Sequence, residues 1–281
     1  MKTLLSILLL AFCLISEAQV QTPSASPAAT VTTVVGLTDV KISYSRPRIK
    51  GRKIFGEGNG FVVPFGAIWR SGANTGTKIS FSDDVTVEGT KVPAGEYLIF
   101  SWPGATEWTV SLYSDLTLGG NTDKYDKSKE VANFKVKPEV LAEKIETLTF
   151  NITDISDDSK MAKVQLAWEN TSVKFKIGVD FDAKVMKSIE ASTKVNPGNY
   201  FQAAVYYLEN GKDLKQALEW INKAADANPA FFILYQKARI QKAVGDKAGA
   251  LETSKKSWEA SKVANNRDYQ LMNEELQKSL K

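Results

Sequence analysis

Histidine is absent from all 281 residues, and cysteine occurs once, as Cys13. Without an imidazole, neither Ser-His-Asp nor Cys-His nucleophilic catalysis can be assembled. Zinc sites built on His or Cys, and redox disulfides, are excluded with them. No Ser-x-x-Lys and no Gly-x-Ser-x-Gly occurs. What remains is carboxylate, lysine or tyrosine chemistry, or an all-oxygen site for a hard metal. Charge of one sign is also scarce: 36 Lys and Arg face 32 Asp and Glu, a net +4. Residues 181–281 hold that excess, with 16 basic and 12 acidic side chains. This is a mixed, solvated surface rather than a phosphate-tracking stripe, and it argues against a nucleic-acid partner. One apolar run stands out, residues 3–15 after Lys2, shorter than the roughly 20 residues of a spanning helix. Ser16-Glu17-Ala18 follows with small residues where a signal peptidase reads. The expectation is a signal peptide over 1–18, cleaved before Gln19, giving a periplasmic or extracellular protein with no remaining membrane span. Such a chain, exported without disulfides, has to be held by its core.

The remainder has two periodicities. A Ser/Pro/Ala-rich tether covers 19–30, and short β-branched runs then recur through residue 180. Segments 31–35, 40–44, 77–81, 85–87, 97–100, 108–113, 131–136, 148–152, 162–168 and 173–179 read as strands. Glu169-Asn170-Thr171 reads as a hairpin turn between the last two, and 114–130 as an irregular surface loop. Short strands without long helices predict an antiparallel β-sandwich over 31–180.

From residue 181 the period becomes helical, with segments 182–192, 200–210, 214–227, 231–244, 247–263 and 268–280 separated by Gly and Pro signals. Ala217-Leu218-Glu219 recurs as Ala250-Leu251-Glu252, and Gly211 recurs as Gly245. Ala204, Ala217, Ala224 and Pro229 have the spacing of a tetratricopeptide repeat, which residues 197–263 resemble. In the second unit Ser257 replaces the later alanine and the closing proline is missing. The fold class expected for 181–281 is therefore an all-α, tetratricopeptide-like hairpin array. The resemblance implies a protein or peptide partner; the plainer alternative is that the helices only cap the sandwich.

The first half carries motifs in a specific order: Ile42-Ser43-Tyr44-Ser45-Arg46-Pro47, Lys50-Gly51-Arg52-Lys53-Ile54-Phe55-Gly56, Val63-Pro64-Phe65-Gly66, and Trp69-Arg70-Ser71-Gly72-Ala73-Asn74. Ile79-Ser80-Phe81-Ser82-Asp83-Asp84-Val85, Pro93-Ala94-Gly95-Glu96-Tyr97 and Trp108-Thr109-Val110 continue them. Residues 24–179 thereby resemble a secreted bacterial family known as domain of unknown function 2911. The resemblance implies architecture and export, and no chemistry. Glu57-Gly58-Asn59-Gly60, Thr75-Gly76 and 121–133 depart from its pattern.

Tyr44, Arg46, Arg52, Trp69, Arg70 and Asn74 form the candidate ligand site, because Arg forks and an indole face suit an anionic or sugar-like ligand. That reading requires convergence in one pocket, with Tyr44 or Glu96 beside it. The alternative is that the arginines pair with Asp or Glu and brace a loop. Phe201, Tyr207, Phe231 and Tyr235 are the candidate partner-binding residues, with helix-to-helix packing as their alternative. Gly56–Gly60 lacks a following helix and reads as a hairpin tip. Asn121, Asp123, Asp126 and Glu130, like Asp154, Asp157 and Asp158, read as surface turns, since Asp126 stands where a calcium loop needs glycine. No catalytic residue, metal or cofactor is assigned. The favoured function is a non-enzymatic envelope scaffold; an enzyme or carbohydrate-binding module acting through the Arg/Trp cluster is the other.

Overall fold

A computed structural model describes residues 22–193 and 197–281. The apolar run, Cys13 and the expected cleavage point before Gln19 lie outside the described residues. Among the described residues, no helix is long and apolar enough to cross a membrane. The chain divides into two compact units between Phe181 and Asp182.

The first unit is made of β1 (Ala28–Val35), β2 (Thr38–Ser45), β3 (Phe55–Gly56), β4 (Val63–Pro64), β5 (Thr77–Phe81), β6 (Val85–Val87), β7 (Thr90–Val92), β8 (Gly95–Trp102), β9 (Trp108–Tyr113), β10 (Glu130–Val136), β11 (Glu139–Thr153) and β12 (Met161–Val179). Six strands form one sheet in the order β1-β2-β5-β8-β9-β10, and four form another in the order β11-β12-β6-β7. Both are antiparallel throughout. β3 and β4 make a short parallel ladder.

Period-two patterning decides which face each strand buries. Val40, Ile42 and Tyr44 of β2 and Ile79 and Phe81 of β5 share one core with Leu148, Phe150 and Ile152 of β11 and Val164, Leu166, Phe175 and Ile177 of β12. Each fully buried large side chain in it contributes roughly 1.5–3 kcal/mol. β8 is buried on both faces: Leu98 and Phe100 pack away from that core, with Tyr113, under Leu116, Leu118 and Tyr125. The covering strap, 115–130, is more regular than its loop-like sequence suggests. It consists of three 3-10 turns, Leu116–Leu118, Thr122–Lys124 and Lys127–Lys129. Asp115, Asn121 and Asp126 open them, each accepting a backbone N–H two residues on at 3.0, 3.1 and 2.9 Å.

The expected hairpin at Glu169-Asn170-Thr171 is not formed. β12 runs unbroken through it, paired first with β11 and then, at Ile177–Val179, with β6. Glu169 takes a positive φ of 56°, and the β11–β12 register shifts at Ile145. The turn-forming residues absorb a bulge rather than reverse the chain.

The second unit holds α1 (Asp182–Thr193), α2 (Tyr200–Glu209), α3 (Leu214–Ala227), α4 (Phe231–Ala243), α5 (Lys247–Val263) and α6 (Arg267–Lys278). Sheets followed by six helices is the order the sequence predicts. Gly211 and Gly245 adopt φ of 61° and 91° after α2 and after α4, as helix-terminating glycines do. Asp213 and Asp246 then cap α3 and α5. Ala217 and Ala250 are both fully buried. Ser257, where the first repeat has Ala224, is also fully buried, and its hydroxyl donates to Phe231 O at 2.7 Å. Asn273 continues this polar seam: Ser254 Oγ donates to its Oδ1 at 2.9 Å, and its Nδ2 reaches Ser257 Oγ at 2.9 Å and Tyr269 O at 2.7 Å.

Candidate functional site

After β2 the chain crosses to the other sheet. Leu148 N–H bonds Pro47 O and Ile49 N–H bonds Glu146 O, at 3.0 and 2.9 Å. This places Arg46 along β11, where its Nε donates to Leu148 O at 3.1 Å and its Nη2 to Thr149 Oγ1 at 2.9 Å. Tyr44, buried two residues earlier, accepts the Phe150 N–H at 3.1 Å and meets the Phe150 ring edge-on at 5.0 Å. Arg52 curls back on its own turn, donating to Ile49 O at 3.1 Å and to Arg48 O at 2.6 Å. The positive φ of Lys50 and Gly51, 47° and 72°, makes that turn.

Trp69 lies in the core, 8% exposed, with its Nε1 donating to Gly72 O at 3.1 Å. It stacks on Trp168 at 6.0 Å and meets Trp108 and Phe55 edge-on. Arg70 donates to Gly120 O at 2.7 Å. Asn74, at φ 58°, donates to Ser45 Oγ at 3.1 Å. Glycines permit this approach of the strap: a Cβ on Gly120 would lie 2.5 Å from Asn74 O.

The six residues thus fall in different places. Tyr44 and Arg46 bind β11, Arg52 closes its own turn, and Trp69 is core. Arg70 and Asn74 come together on a shallow cavity of about 500 Å³ with Leu118, Asn121, Thr122 and Asp123. Glu96, expected beside them as a titratable group, sits on β8 and pairs with Lys78 of β5 at 3.2 Å. The brace reading also needs amendment: among the described residues, Arg46, Arg52 and Arg70 are held by carbonyl and hydroxyl oxygens and by no carboxylate. Carbonyls on folded strands and turns are fixed acceptors that a planar fork can grip from the side, and sequence does not show which ones it meets.

Under the strap, Tyr125 fits among Phe100, Trp102 and Tyr113 at ring distances of 5.1, 5.2 and 4.8 Å. Its hydroxyl donates to Glu130 at 2.6 Å and contacts Ser111 at 2.8 Å. Burial, then the hydrogen bond to Glu130, pushes this phenol far above its ordinary value. Asp126 and Asp158, which the sequence places in acidic loops, spend their carboxylates on neighbouring Ser and backbone N–H donors. A cavity of about 610 Å³ is lined by Asp84, Thr86, Lys91, Val92, Pro93 and Val179; sequence reading singled out none of these as a site.

In the second unit, Tyr207 meets Trp220 edge-on at 4.8 Å. Both line a groove of about 530 Å³ with Met186, Lys187, Ile189, Glu190 and Thr193 of α1. Met186, Ile189 and Thr193 repeat at helical spacing, a signal that would have marked α1 as the opposite wall. The other three aromatic candidates pack between helices. Phe201 contacts Phe232 at 5.5 Å, while Phe231 and Tyr235 both contact Tyr269, at 4.9 and 5.5 Å.

A family model described as a protein of unknown function, DUF2911, matches residues 26–177. No curated protein matches the chain, and no solved structure does.

Proposed function

The chain belongs to the DUF2911 family of proteins of unknown function, and from that premise we propose that it is an exported, non-enzymatic scaffold of the cell envelope. In this reading the two sheets are the layers of an antiparallel β-sandwich. The core shared by strands of both sheets supports it. Asp182–Lys281 is a short tetratricopeptide-like array, supported by the equivalent buried Ala217 and Ala250 and the equivalent Asp213 and Asp246 caps. Export rests on the sequence of residues 1–18.

The observation that carries the functional reading is the α1–α3 groove. Apolar Met186 and Ile189 face aromatic Tyr207 and Trp220, with Lys187 and Glu190 among the lining. An amphipathic peptide segment of a partner protein suits such a surface. The anionic- or sugar-ligand alternative is weaker, because Arg46, Arg52 and Trp69 are engaged elsewhere and only Arg70 and Asn74 share a cavity. The test places a photo-crosslinking residue at Lys187, and a control at Lys256 on α5, in intact cells. A discrete adduct at 187 that disappears in Trp220→Ala supports docking. Equal labelling from both positions, or none from either, removes the groove from consideration.

A further inference from the structure

The edges of the first unit are not alike. β10 carries Glu130 and Lys135, shifts register between Glu130 and Ala132, and is followed by Lys137-Pro138. β7 has three residues, Lys91 among them, and ends against Pro93. β11 bears Glu139, Glu143, Lys144 and Glu146, is interrupted by register shifts, and has residues 47–49 laid along it. Charge, proline, brevity and bulges are the devices that stop an edge from recruiting another strand.

β1 has none of them within its length, although Pro27 closes its first end. Its eight residues, Ala28-Ala29-Thr30-Val31-Thr32-Thr33-Val34-Val35, contain no charge and no proline. The register with β2 is unbroken from Ala28↔Ser45 to Val35↔Thr38. Among the described residues β1 pairs with β2 alone, so no other described strand hydrogen-bonds to its outer row of N–H and C=O groups. Thr30, Thr32 and Val34 are exposed on it.

We propose that β1 is a homotypic docking edge, pairing antiparallel with β1 of a second copy to join two six-stranded sheets across a two-fold axis. Absence of charge makes the edge self-complementary, since no like charges meet across the axis. Thr facing Thr is a favourable cross-strand pair. Edge pairing of two such short strands buries less than the roughly 1,200 Å² of a stable complex, so the dimer is concentration-dependent.

Sedimentation velocity on the chain as its host processes it, from roughly 1 to 300 µM, tests this. The expected result is a mass rising toward that of a dimer, unchanged between about 50 and 500 mM salt because no ion pair contributes. Thr32→Lys and Thr30→Lys should each weaken association at least about tenfold, while Lys91→Ala on β7 leaves it intact. Amides of residues 28–35 should gain exchange protection with concentration. A monomer at every concentration, or undiminished association of folded Thr32→Lys, overturns the proposal.

Discussion

Arg46 joins β2 to β11 through two donors on one rigid fork. Arg46→Ala should therefore destabilise the first unit by about 1.5–3 kcal/mol, the range for hydrogen bonds from a charged group, as read by urea unfolding. Arg46→Lys should recover less than half of that, since an ammonium cannot serve Leu148 O and Thr149 Oγ1 in the same geometry. Full recovery would mean that only the charge matters. Gly120 makes a different demand. Its φ is ordinary, but a methyl group there would meet Asn74 O and the Arg70 side chain. Gly120→Ala should cost about 1–3 kcal/mol through the displaced strap, whereas Gly89→Ala, in open space at φ 84°, probes backbone strain alone. Only part of this was legible beforehand. The Arg/Trp motif announced a constrained corner, but the Arg46 partners, Leu148 O and Thr149 Oγ1, come from about a hundred residues away, and a linear reading carries no such register.

Among elements, the strap depends on ionised caps. Asp115 is held below its ordinary value of 3.8 by the Thr117 hydroxyl and N–H; Asp126 is held down by the Ser128 N–H and hydroxyl. A folded-state pKa below the unfolded one adds stability that is complete above 3.8 and is lost as pH falls through the lowered values. Strap amides should thus exchange faster, after correction for intrinsic rates, as pH drops below about 4. Asp126→Asn should keep its cap and flatten that dependence at the Lys127–Lys129 turn, because Asn caps as well without titrating. An unchanged pH profile would show that the caps do not hold the strap. In the helices, Asn273 is fully buried with Ser254 and Ser257 as partners. Asn273→Ala removes the acceptor of the Ser254 hydroxyl and the donor to Ser257, which keeps its own bond to Phe231 O, and should cost about 1–3 kcal/mol, visible as lost helical ellipticity at lower urea. The helices were readable because Gly211, Asp213, Gly245 and Asp246 mark local boundaries. β12 was not, because Glu169-Asn170-Thr171 has the same composition whether it turns a chain or bulges it. Only the pairing with β11 decides between the two, and that pairing is non-local.

At the scale of the molecule, the division at Phe181/Asp182 separates two units, each with its own sensitive residue. Arg46→Ala and Asn273→Ala should shift separate unfolding transitions, with effects that add in the double variant to within about 0.5 kcal/mol. A single shared transition moved by both would show that the units unfold as one. Their folding should differ in pace as well. The β6–β12 ladder joins Val85 to Val179 and Val87 to Ile177, a loop closure that local helical hairpins do not require, so the sheets should form later. Trp69, Trp108 and Trp168 supply the means to watch this. The Trp69 ring lies about 6 Å from each of the other two. Light absorbed by one indole will be shared with its neighbours, so the sheet unit carries a built-in optical signature. A coupled circular-dichroism band should appear when the core closes, weaken in Trp168→Phe as one of the two pairs is lost, and stay silent to any change in the helices.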